Sequence, residues 1–477
     1  MKARALRSRR PFHARQALVF QGSAVRRLLA LAAGIALCAG ALIGAQAAGA
    51  AVTGDSAVAA QIDGSGSTWA QNAIDQWISG VTADGLQVVY TGSGSAQGRA
   101  DFRNNTTDFA VSDIGFQGFD PSTGTNDTNC LDPTQPSTCR PYAYLPIVAG
   151  GTSFPYHIKV RGKLVRNLRL SGETLAKIFT NKITNWDNRE ITRDNNGRKL
   201  PSLPIIPVVH SEGSGPTAQF TRYLATEYPG IWRPFNHGTG MTEYFPRQGN
   251  QVAENGSASV MNFVVSAAAN GDIGYDEYSY AQQESWPVAQ VENKAGYFVA
   301  PTQYNVAVAL TRARINMDES SPAYLLQNLN KVYTNRDKRA YPLSSYSYMI
   351  IPTSPTDPQM STARRQTLAD FIDWSVCGGQ AQIGPLGYSP LPINLAQASF
   401  AQMYKLHTAD PNVNIGQLTI TQCHNPTFWH GHLDRNYLTH IAPEPPRCDK
   451  AGHGPCRGSS GASPGTAQGT TVGTRRG

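Results

Sequence analysis

Three short runs combine glycine with serine or threonine, and each precedes a segment with a helical pattern. They read GSGSTW at 64–69, GSGSAQG at 92–98 and EGSGPT at 212–217. The first turn of a helix leaves backbone N–H groups without partners and carries the positive end of the helix dipole. Glycine lets an oxyanion approach these N–H groups, and serine or threonine adds hydroxyl donors. Together the runs predict an anion held by several helix N-termini, although any one alone is more typical of an ordinary capped helix start.

A single aspartate, Asp113, ends the segment DFAVSD at 108–113, where a short apolar stretch stops. An ionised carboxylate can only accept hydrogen bonds. Beside a bound anion it is favourable only if that anion carries a proton, as monohydrogen phosphate does and sulfate does not. Asp113 therefore predicts selection of phosphate over sulfate. The alternative is an aspartate that caps a turn or a helix.

The elements that must position these residues follow from the hydrophobic pattern. Short apolar runs at 87–90, 144–148, 205–209 and 348–351 predict strands, and helical patterns occupy 70–78, 172–179, 217–225, 257–269 and 364–376. Strands that alternate with helices predict an α/β protein with largely parallel or mixed sheets. The chain is longer than one ordinary core allows, so at least two lobes are expected.

Residues 1–50 are predicted to be a cleaved secretory signal peptide. A basic start precedes an almost wholly apolar run at 28–43, and small residues follow up to Ala50, where cleavage is expected. The protein is thus expected to be extracellular, at the cell surface or periplasmic, and Cys38 leaves a lipid anchor open. The chain has 41 basic and 33 acidic residues, and eight of the basic ones lie in the leader. The remainder is formally neutral, so the charge gives no reason to expect nucleic-acid binding.

Six cysteines follow the leader, an even number that suits disulfides in an oxidising compartment. Their distances in sequence suggest the pairs Cys130 with Cys139, Cys448 with Cys456 and Cys377 with Cys423, although sequence alone does not fix connectivity. Paired C-x-x-C ligands are lacking, and the irregular cysteine and histidine spacing at 423–453 is more typical of a surface tail, so no metal site is predicted. Composition predicts a surface excursion at 120–141 and a disordered tail after about 457.

Several separated segments resemble the substrate-binding proteins of high-affinity phosphate ABC importers, the PstS family. In the family's order they are 64–69, 90–98, 108–113, 178–186 (IFTNKITNW), 208–224, 271–281 (GDIGYDEYSYA), 341–352 and 386–392 (LGYSPLP). The resemblance implies an α/β type II periplasmic-binding-protein fold, with two α/β lobes around a ligand cleft. It implies lobe 1 at 58–149 and 281–400, lobe 2 at 150–280, and strand crossings near 146–151 and 274–279. A C-terminal Cys-containing extension is expected at 401–477.

The same resemblance implies which residues bind phosphate. Donors would come from Thr68, Trp69 and Ser95 in one lobe and from Ser214 and Gly215 in the other, Asp113 would be the acceptor, and Ser67, Glu212 and Thr217 are secondary candidates. His210, also a candidate ligand, stands where the family has an arginine, and Pro216 replaces a threonine. Arginine is always charged, whereas histidine is mostly neutral at pH 7, so this change would weaken binding or alter its selectivity.

The function implied is that of a binding protein and not an enzyme. It would capture inorganic phosphate in the interlobe cleft and deliver it to an ABC importer, without a cofactor and without catalytic residues. The sequence has no Walker motif and no multi-span membrane region, so the permease and its ATPase would be separate chains. Two alternatives stay open, namely a surface scavenger of another oxyanion or phosphorylated compound and a phosphate-cage phosphatase. A serine hydrolase is disfavoured because none of the glycine-serine runs reads G-x-S-x-G.

Overall fold

A computed structural model describes residues 59–238, 240–416, 423–429, 431–432 and 434–456. The predicted signal peptide, with Cys38 and the expected cleavage near Ala50, lies outside the described residues. The tail predicted to be disordered after about 457 also lies outside them.

The elements alternate between strands and helices along the chain. The strands are β1 (Ile62–Gly66), β2 (Val88–Gly92), β3 (Phe109–Ser112), β4 (Gly118–Asp120), β5 (Thr125–Asp127), β6 (Tyr142–Ser153), β7 (Lys159–Val160), β8 (Lys163–Leu164), β9 (Arg169–Leu170), β10 (Ile206–His210), β11 (Val252–Glu254), β12 (Asp272–Gly274), β13 (Asp276–Glu277), β14 (Gln290–Glu292), β15 (Phe298–Val299), β16 (Arg314–Ile315), β17 (Gln327–Asn328) and β18 (Ser344–Pro352). The α-helices are α1 (Gln71–Thr82), α2 (Ser95–Arg103), α3 (Gly172–Phe179), α4 (Arg189–Asp194), α5 (Gly215–Glu227), α6 (Pro229–Phe235), α7 (Gly256–Val265), α8 (Tyr278–Gln283), α9 (Gln303–Leu310), α10 (Asn330–Tyr333), α11 (Thr362–Val376), α12 (Gln380–Ile383), α13 (Ile393–Ala409) and α14 (Tyr437–Ile441). Short 3-10 turns lie at Pro136–Thr138 and Arg447–Asp449.

The larger sheet has the strand order β13-β6-β18-β3-β1-β2. β1 is parallel to β2 and β3, and β18 runs antiparallel to β3 and β6. Every residue of β3 and β18 is buried, because both faces of these central strands are covered. The carboxyl ends of the three parallel strands meet at one edge of the sheet. The chain continues directly from these strand ends with Ser67 after β1, the loop at 93–94 after β2 and Asp113 after β3.

Two three-stranded sheets, β11-β10-β12 and β15-β14-β9, form the second part of the fold. β10 is parallel to both of its neighbours and ends at His210, shortly before α5. β6 pairs with β18 as far as Gly151, and its last residues, Thr152 and Ser153, pair with β13 at the edge of the same sheet. The predicted crossings between the lobes, near 146–151 and 274–279, fall on β6 and around β13 and stay predictions.

The predicted strands coincide with β2, β6, β10 and β18, and the predicted helices coincide with α1, α3, α5, α7 and α11. One local difference concerns the first glycine-serine run, which is not a turn throughout. Gly66 belongs to β1 with a φ of 134°, and a Cβ there would come 2.0 Å from the Val111 carbonyl oxygen. The Ser67 N–H also donates to that oxygen at 2.9 Å. The backbone therefore stays against β3, and α1 begins only at Gln71.

Two predicted domain boundaries fall within observed features. β14 pairs in parallel with β9, so residues 290–292 lie beside a strand on the far side of the predicted boundary at 280. α13 continues to Ala409, past the predicted start of the extension at 401, because Leu395, Met403 and Leu406 are buried on its inner face. The boundaries themselves stay predictions.

Three disulfides join the expected pairs, Cys130 with Cys139, Cys377 with Cys423 and Cys448 with Cys456. The first lies in the predicted excursion at 120–141, close to the hairpin of β4 and β5. The second ties the C-terminal extension to the end of α11. Within the described ranges, no helix combines the length and apolar character that a membrane crossing requires.

Candidate functional site

Asp113 lies at the centre of the candidate site and is buried. One carboxylate oxygen, Oδ2, accepts hydrogen bonds from Ser67 Oγ at 2.7 Å and Ser95 Oγ at 3.0 Å. The other oxygen, Oδ1, accepts from the hydroxyl of Ser347 on β18. The carboxylate is therefore held by three hydroxyl donors, which come from the loop after β1, the start of α2 and β18.

Opposing effects set the pKa of Asp113. Burial is the largest and raises the pKa, because it disfavours the charged carboxylate. The hydrogen bonds from Ser347, Ser67 and Ser95 oppose this, as does the positive charge of Arg99. The net result is a pKa of Asp113 above the usual value for aspartate. The three serine hydroxyls nevertheless stabilise its ionised form.

Helix α5 begins directly against this carboxylate. Ser214 is the N-cap residue, and its hydroxyl accepts from the Thr217 N–H at 3.3 Å. A Cβ on Gly215 would come 1.5 Å from Asp113 Oδ2, so only glycine allows this approach. Gln219 on the same helix donates to the Asp113 carbonyl oxygen at 2.7 Å. The positive end of α5 therefore lies against Asp113.

The second glycine-serine run also contacts the α5 loop. The Ala96 N–H donates to the Gly213 carbonyl oxygen at 3.1 Å. Gly94 has a φ of 92°, and a Cβ there would come 2.9 Å from Glu212 Cγ. α2 starts at Ser95, so the N-terminal ends of α2 and α5 lie next to each other.

Thr68 and Trp69 are buried and bond to residues that lie far away in sequence. Thr68 Oγ1 accepts from Ser257 Oγ at 2.9 Å and from the Ser257 N–H at 3.3 Å. The Thr68 carbonyl accepts from the Tyr280 hydroxyl at 2.5 Å, and the Trp69 carbonyl accepts from the Tyr388 hydroxyl at 2.6 Å. The first run is thereby fixed to α7 and α8 by hydroxyl groups.

Both ring nitrogens of His210 face partners on its own side of the cleft. Nδ1 lies 2.7 Å from Glu212 Oε1, and Nε2 lies 3.2 Å from the Tyr275 carbonyl oxygen. Burial disfavours the imidazolium, but the hydrogen bond and charge of Glu212 and the charge of Asp276 outweigh it, so the pKa of His210 is raised. The other carboxylate oxygen of Glu212 accepts from the Gly256 N–H at 3.0 Å. His210 and Glu212 thus form a buried pair that ties β10 to the start of α7.

The predicted residues fall into two groups. The structure brings Ser67, Ser95 and Gly215 into direct contact with Asp113, and Ser214 lies next in the chain. The hydrogen bonds described above for Thr68, Trp69, His210, Glu212 and Thr217 join these residues to others and not to Asp113. Thr217, for example, shares a hydrogen bond of 2.7 Å with the Tyr275 hydroxyl.

Three further polar residues belong to the arrangement and were missed by sequence reasoning. Ser347 and Ser257 lie outside the glycine-serine runs. Arg99 is fully buried, donates to Ser112 Oγ at 2.9 Å and pairs with Glu243 at 2.6 Å across the cleft. The available signal for Ser347 was the segment SSYSYMII at 344–351, where serines interrupt an otherwise buried strand.

The described residues contain no group of three or more histidine, cysteine, aspartate or glutamate side chains that could hold a metal ion. The chemistry of the site is that of hydroxyl and amide donors around one carboxylate. Such an arrangement can bind an anion that carries a proton.

The sequence matches the family described as PBP superfamily domain over residues 51–378. Phosphate-binding protein PstS 2 of Mycobacterium tuberculosis is 30% identical over 341 residues, which cover 70% of this chain and 83% of that protein. Phosphate-binding protein PstS of Methanocaldococcus jannaschii is 29% identical over 342 residues, which cover 70% of this chain and 82% of that protein. The chain belongs to the PstS family of phosphate-binding proteins.

The fold of this PstS-family chain agrees with that assignment. It resembles the structure of a high-affinity periplasmic phosphate-binding protein, PfluDING, bound with phosphate, with a TM-score of 0.56 and 22% identity over 75% of this chain and 100% of that chain. At this identity the likeness concerns the fold alone, which is the predicted type II periplasmic-binding fold. The family match ends at residue 378, before the predicted C-terminal extension at 401–477.

Proposed function

We propose that the protein captures inorganic phosphate outside the cytoplasm, in the cleft between its lobes, and delivers it to an ABC importer. The observation that carries this proposal is the buried carboxylate of Asp113, held by hydroxyl donors and faced by the N-terminus of α5. A cleft with several hydrogen-bond donors and one hydrogen-bond acceptor suits a tetrahedral oxyanion that carries one proton, because the acceptor can bind that proton.

In this proposal each group has a role set by its chemistry. Thr68 and Ser95 donate hydroxyl and backbone hydrogens to phosphate, and Trp69 donates its backbone N–H. Ser214 and Gly215 donate from the start of α5, where the helix dipole favours an anion. Asp113 accepts the proton of monohydrogen phosphate. Ser67 orients Asp113, to which it already donates.

We assign His210 a positioning role instead of direct contact with phosphate. Its ring nitrogens are engaged by Glu212 and the Tyr275 carbonyl, and Glu212 in turn holds the Gly256 N–H. Losing the family's arginine would then remove a charge-assisted bond worth about 1.5 to 3 kcal/mol. Thr217, bonded to Tyr275, would support the same side of the cleft.

Delivery requires partners that this chain does not include. We propose a separate permease and ATPase, and lobes that open and close along β6 and β13, with the larger sheet in lobe 1 and the β10 sheet in lobe 2. Export with cleavage near Ala50 would bring the protein to the compartment where phosphate is captured.

The test is a calorimetric titration of the purified protein after endogenous phosphate has been removed. We expect phosphate and arsenate to bind, and sulfate and a phosphate monoester to bind far more weakly. Turnover of a chromogenic phosphate monoester is measured in parallel and should not exceed that of buffer. Absence of phosphate binding, tighter binding of sulfate or sustained turnover would each reject the proposal.

A further inference from the structure

A cavity of about 460 Å³ adjoins Asp113. Its lining includes Asp113, Arg222, Arg314 and Tyr348, but not Thr68, Ser95 or Ser214. Asp113 is therefore a wall shared by this cavity and the proposed phosphate cage. Since one water in the liquid occupies about 30 Å³, the volume has room for a phosphate ion with several waters.

The two arginines come from different elements, which belong to different predicted lobes. Arg222 lies two turns into α5, and Arg314 lies on β16, which pairs with β17. In the described part of the chain, neither arginine has an acidic side chain within ion-pair distance. Asp318 and Glu319 follow on the β16–β17 hairpin, but neither lines the cavity. Two guanidinium groups thus border one cavity without a partner carboxylate.

This lack of pairing contrasts with the other arginines of the site region. Arg99 pairs with Asp127 and Glu243, and Arg364 pairs with Asp108. The carboxylate that lines the cavity, Asp113, already accepts hydrogen bonds from serine hydroxyls on both of its oxygens. The cavity is therefore bordered by two guanidinium groups without an ion pair in the described part of the chain and by Asp113 as one of its walls.

We propose that this cavity is an outer anion site, in which Arg222 and Arg314 attract phosphate before it reaches the cage beyond Asp113. This proposal rests on the proposed function and adds two residues, Arg222 and Arg314, that have no role in that function as described above. Guanidinium groups bind oxyanions through paired N–H donors, so the outer site accepts phosphate and sulfate alike. Asp113 then selects between the anions, because binding next to its carboxylate is favourable only for an anion that carries a proton.

The expected effect is on the rate of binding. Uncompensated positive charge at the mouth of a cleft raises the association rate of an anion, and salt screens the effect. Phosphate held in the cage is bound by other residues, so its dissociation rate should depend little on either arginine. His210 cannot substitute, because both of its ring nitrogens are engaged.

The experiment measures the rate of phosphate association by stopped flow, with tryptophan fluorescence as the signal, at low and at high ionic strength. Arg314→Gln and Arg222→Gln should each lower the association rate constant about 3- to 10-fold at low ionic strength and flatten its salt dependence. Dissociation rate constants should stay within about two-fold. Arg222→Lys, which keeps the charge, should retain most of the rate.

Arg312→Gln is the matched control, because Arg312 is exposed two residues from Arg314 and does not line the cavity. It should leave the association rate unchanged. If Arg312→Gln slowed binding as much as Arg314→Gln, or if neither cavity variant slowed it, the outer site would be refuted while phosphate binding itself stood. Failure of the wild-type protein to bind phosphate would instead reject the proposed function. Arg314 is exposed, so its variant gives a result even if Arg222→Gln does not fold.

Discussion

In the proposed function, discrimination between oxyanions depends on one side chain, Asp113. While it is ionised, its carboxylate can accept a proton from the ligand and repels an anion that has none. Once protonated, it becomes a donor that sulfate also tolerates. Burial raises the pKa of Asp113, so this change occurs at a higher pH than for an exposed aspartate.

We expect Asp113→Asn to reduce the preference for phosphate over sulfate by about ten-fold or more, which is about 1.4 kcal/mol. In the wild-type protein, sulfate should compete better as the pH falls through the pKa of Asp113, whereas the variant should lack this dependence. Competition titrations between about pH 4 and about pH 8 measure both effects. Asp120→Asn, at an exposed position, is the control. A variant that kept full selectivity would remove Asp113 from the mechanism.

His210 predicts a pH dependence of stability. Because its pKa is raised in the folded protein, its contribution is fully present below the unfolded value of about 6.5 and is lost as the pH rises through the folded pKa. Between pH 6 and pH 8, wild type should lose more free energy of unfolding than His210→Gln, by on the order of 1 kcal/mol. Denaturant titrations at both pH values give the difference.

Glu277 is a second buried group that titrates in the pH range of that experiment. Burial raises its pKa to about 8, so it also favours the folded state at lower pH in both proteins, and its effect cancels in the difference. Equal losses in wild type and His210→Gln would mean that the pair of His210 and Glu212 does not titrate in this range.

At the scale of elements, the N-terminus of α5 is the feature on which the site depends. Ser214 caps the helix, Pro216 fits the first turn because its missing N–H needs no partner there, and Gly215 allows the approach to Asp113. Ser214 and Pro216 thus favour the start of the helix, and Gly215 lets that start lie against Asp113.

We expect Gly215→Ala to weaken phosphate binding at least about ten-fold, because the added Cβ would come 1.5 Å from Asp113 Oδ2 and push α5 away from the carboxylate. Gly230→Ala is the matched control, since Gly230 lies in α6 and its Cβ would meet nothing within 4 Å. Calorimetry on both variants tests this. Equal affinity in the two proteins would show that α5 can shift without cost to the site.

Local pattern was sufficient to predict these elements and the residues at their ends. The glycine-serine runs and the end of β3 indicated three loops and Asp113, because turn chemistry and strand ends depend on neighbouring residues. Ser95 and Gly215 were singled out within those loops by the resemblance to the PstS family. Ser347 and Ser257 could not be found in this way, because they reach the site through strand pairing and helix packing across long distances in sequence. The engagement of His210 by Tyr275 likewise follows only from the fold.

At the scale of the whole molecule, the C-terminal extension connects residues of both predicted lobes. Asn425 Nδ2 and Thr427 Oγ1 donate to the Leu391 carbonyl at 2.9 Å and 2.6 Å. Further along, Asp449 pairs with Arg169 at 2.7 Å, beside the β15-β14-β9 sheet. The disulfide of Cys377 with Cys423 also ties the extension to the end of α11. Removing this disulfide tests how much it contributes to the stability of the protein.

We expect the double variant Cys377→Ser with Cys423→Ser to lose more stability than Cys130→Ser with Cys139→Ser. The first disulfide spans 46 residues and the second spans 9. In the loop-entropy account these correspond to about 4 and about 2.6 kcal/mol, because the longer closed loop restricts the unfolded chain more. Denaturant titrations of both double variants measure the difference. An equal loss, or a greater one for the short loop, would contradict this expectation, and would mean that the Cys377–Cys423 bond adds little beyond the contacts that the extension already makes with Leu391 and Arg169.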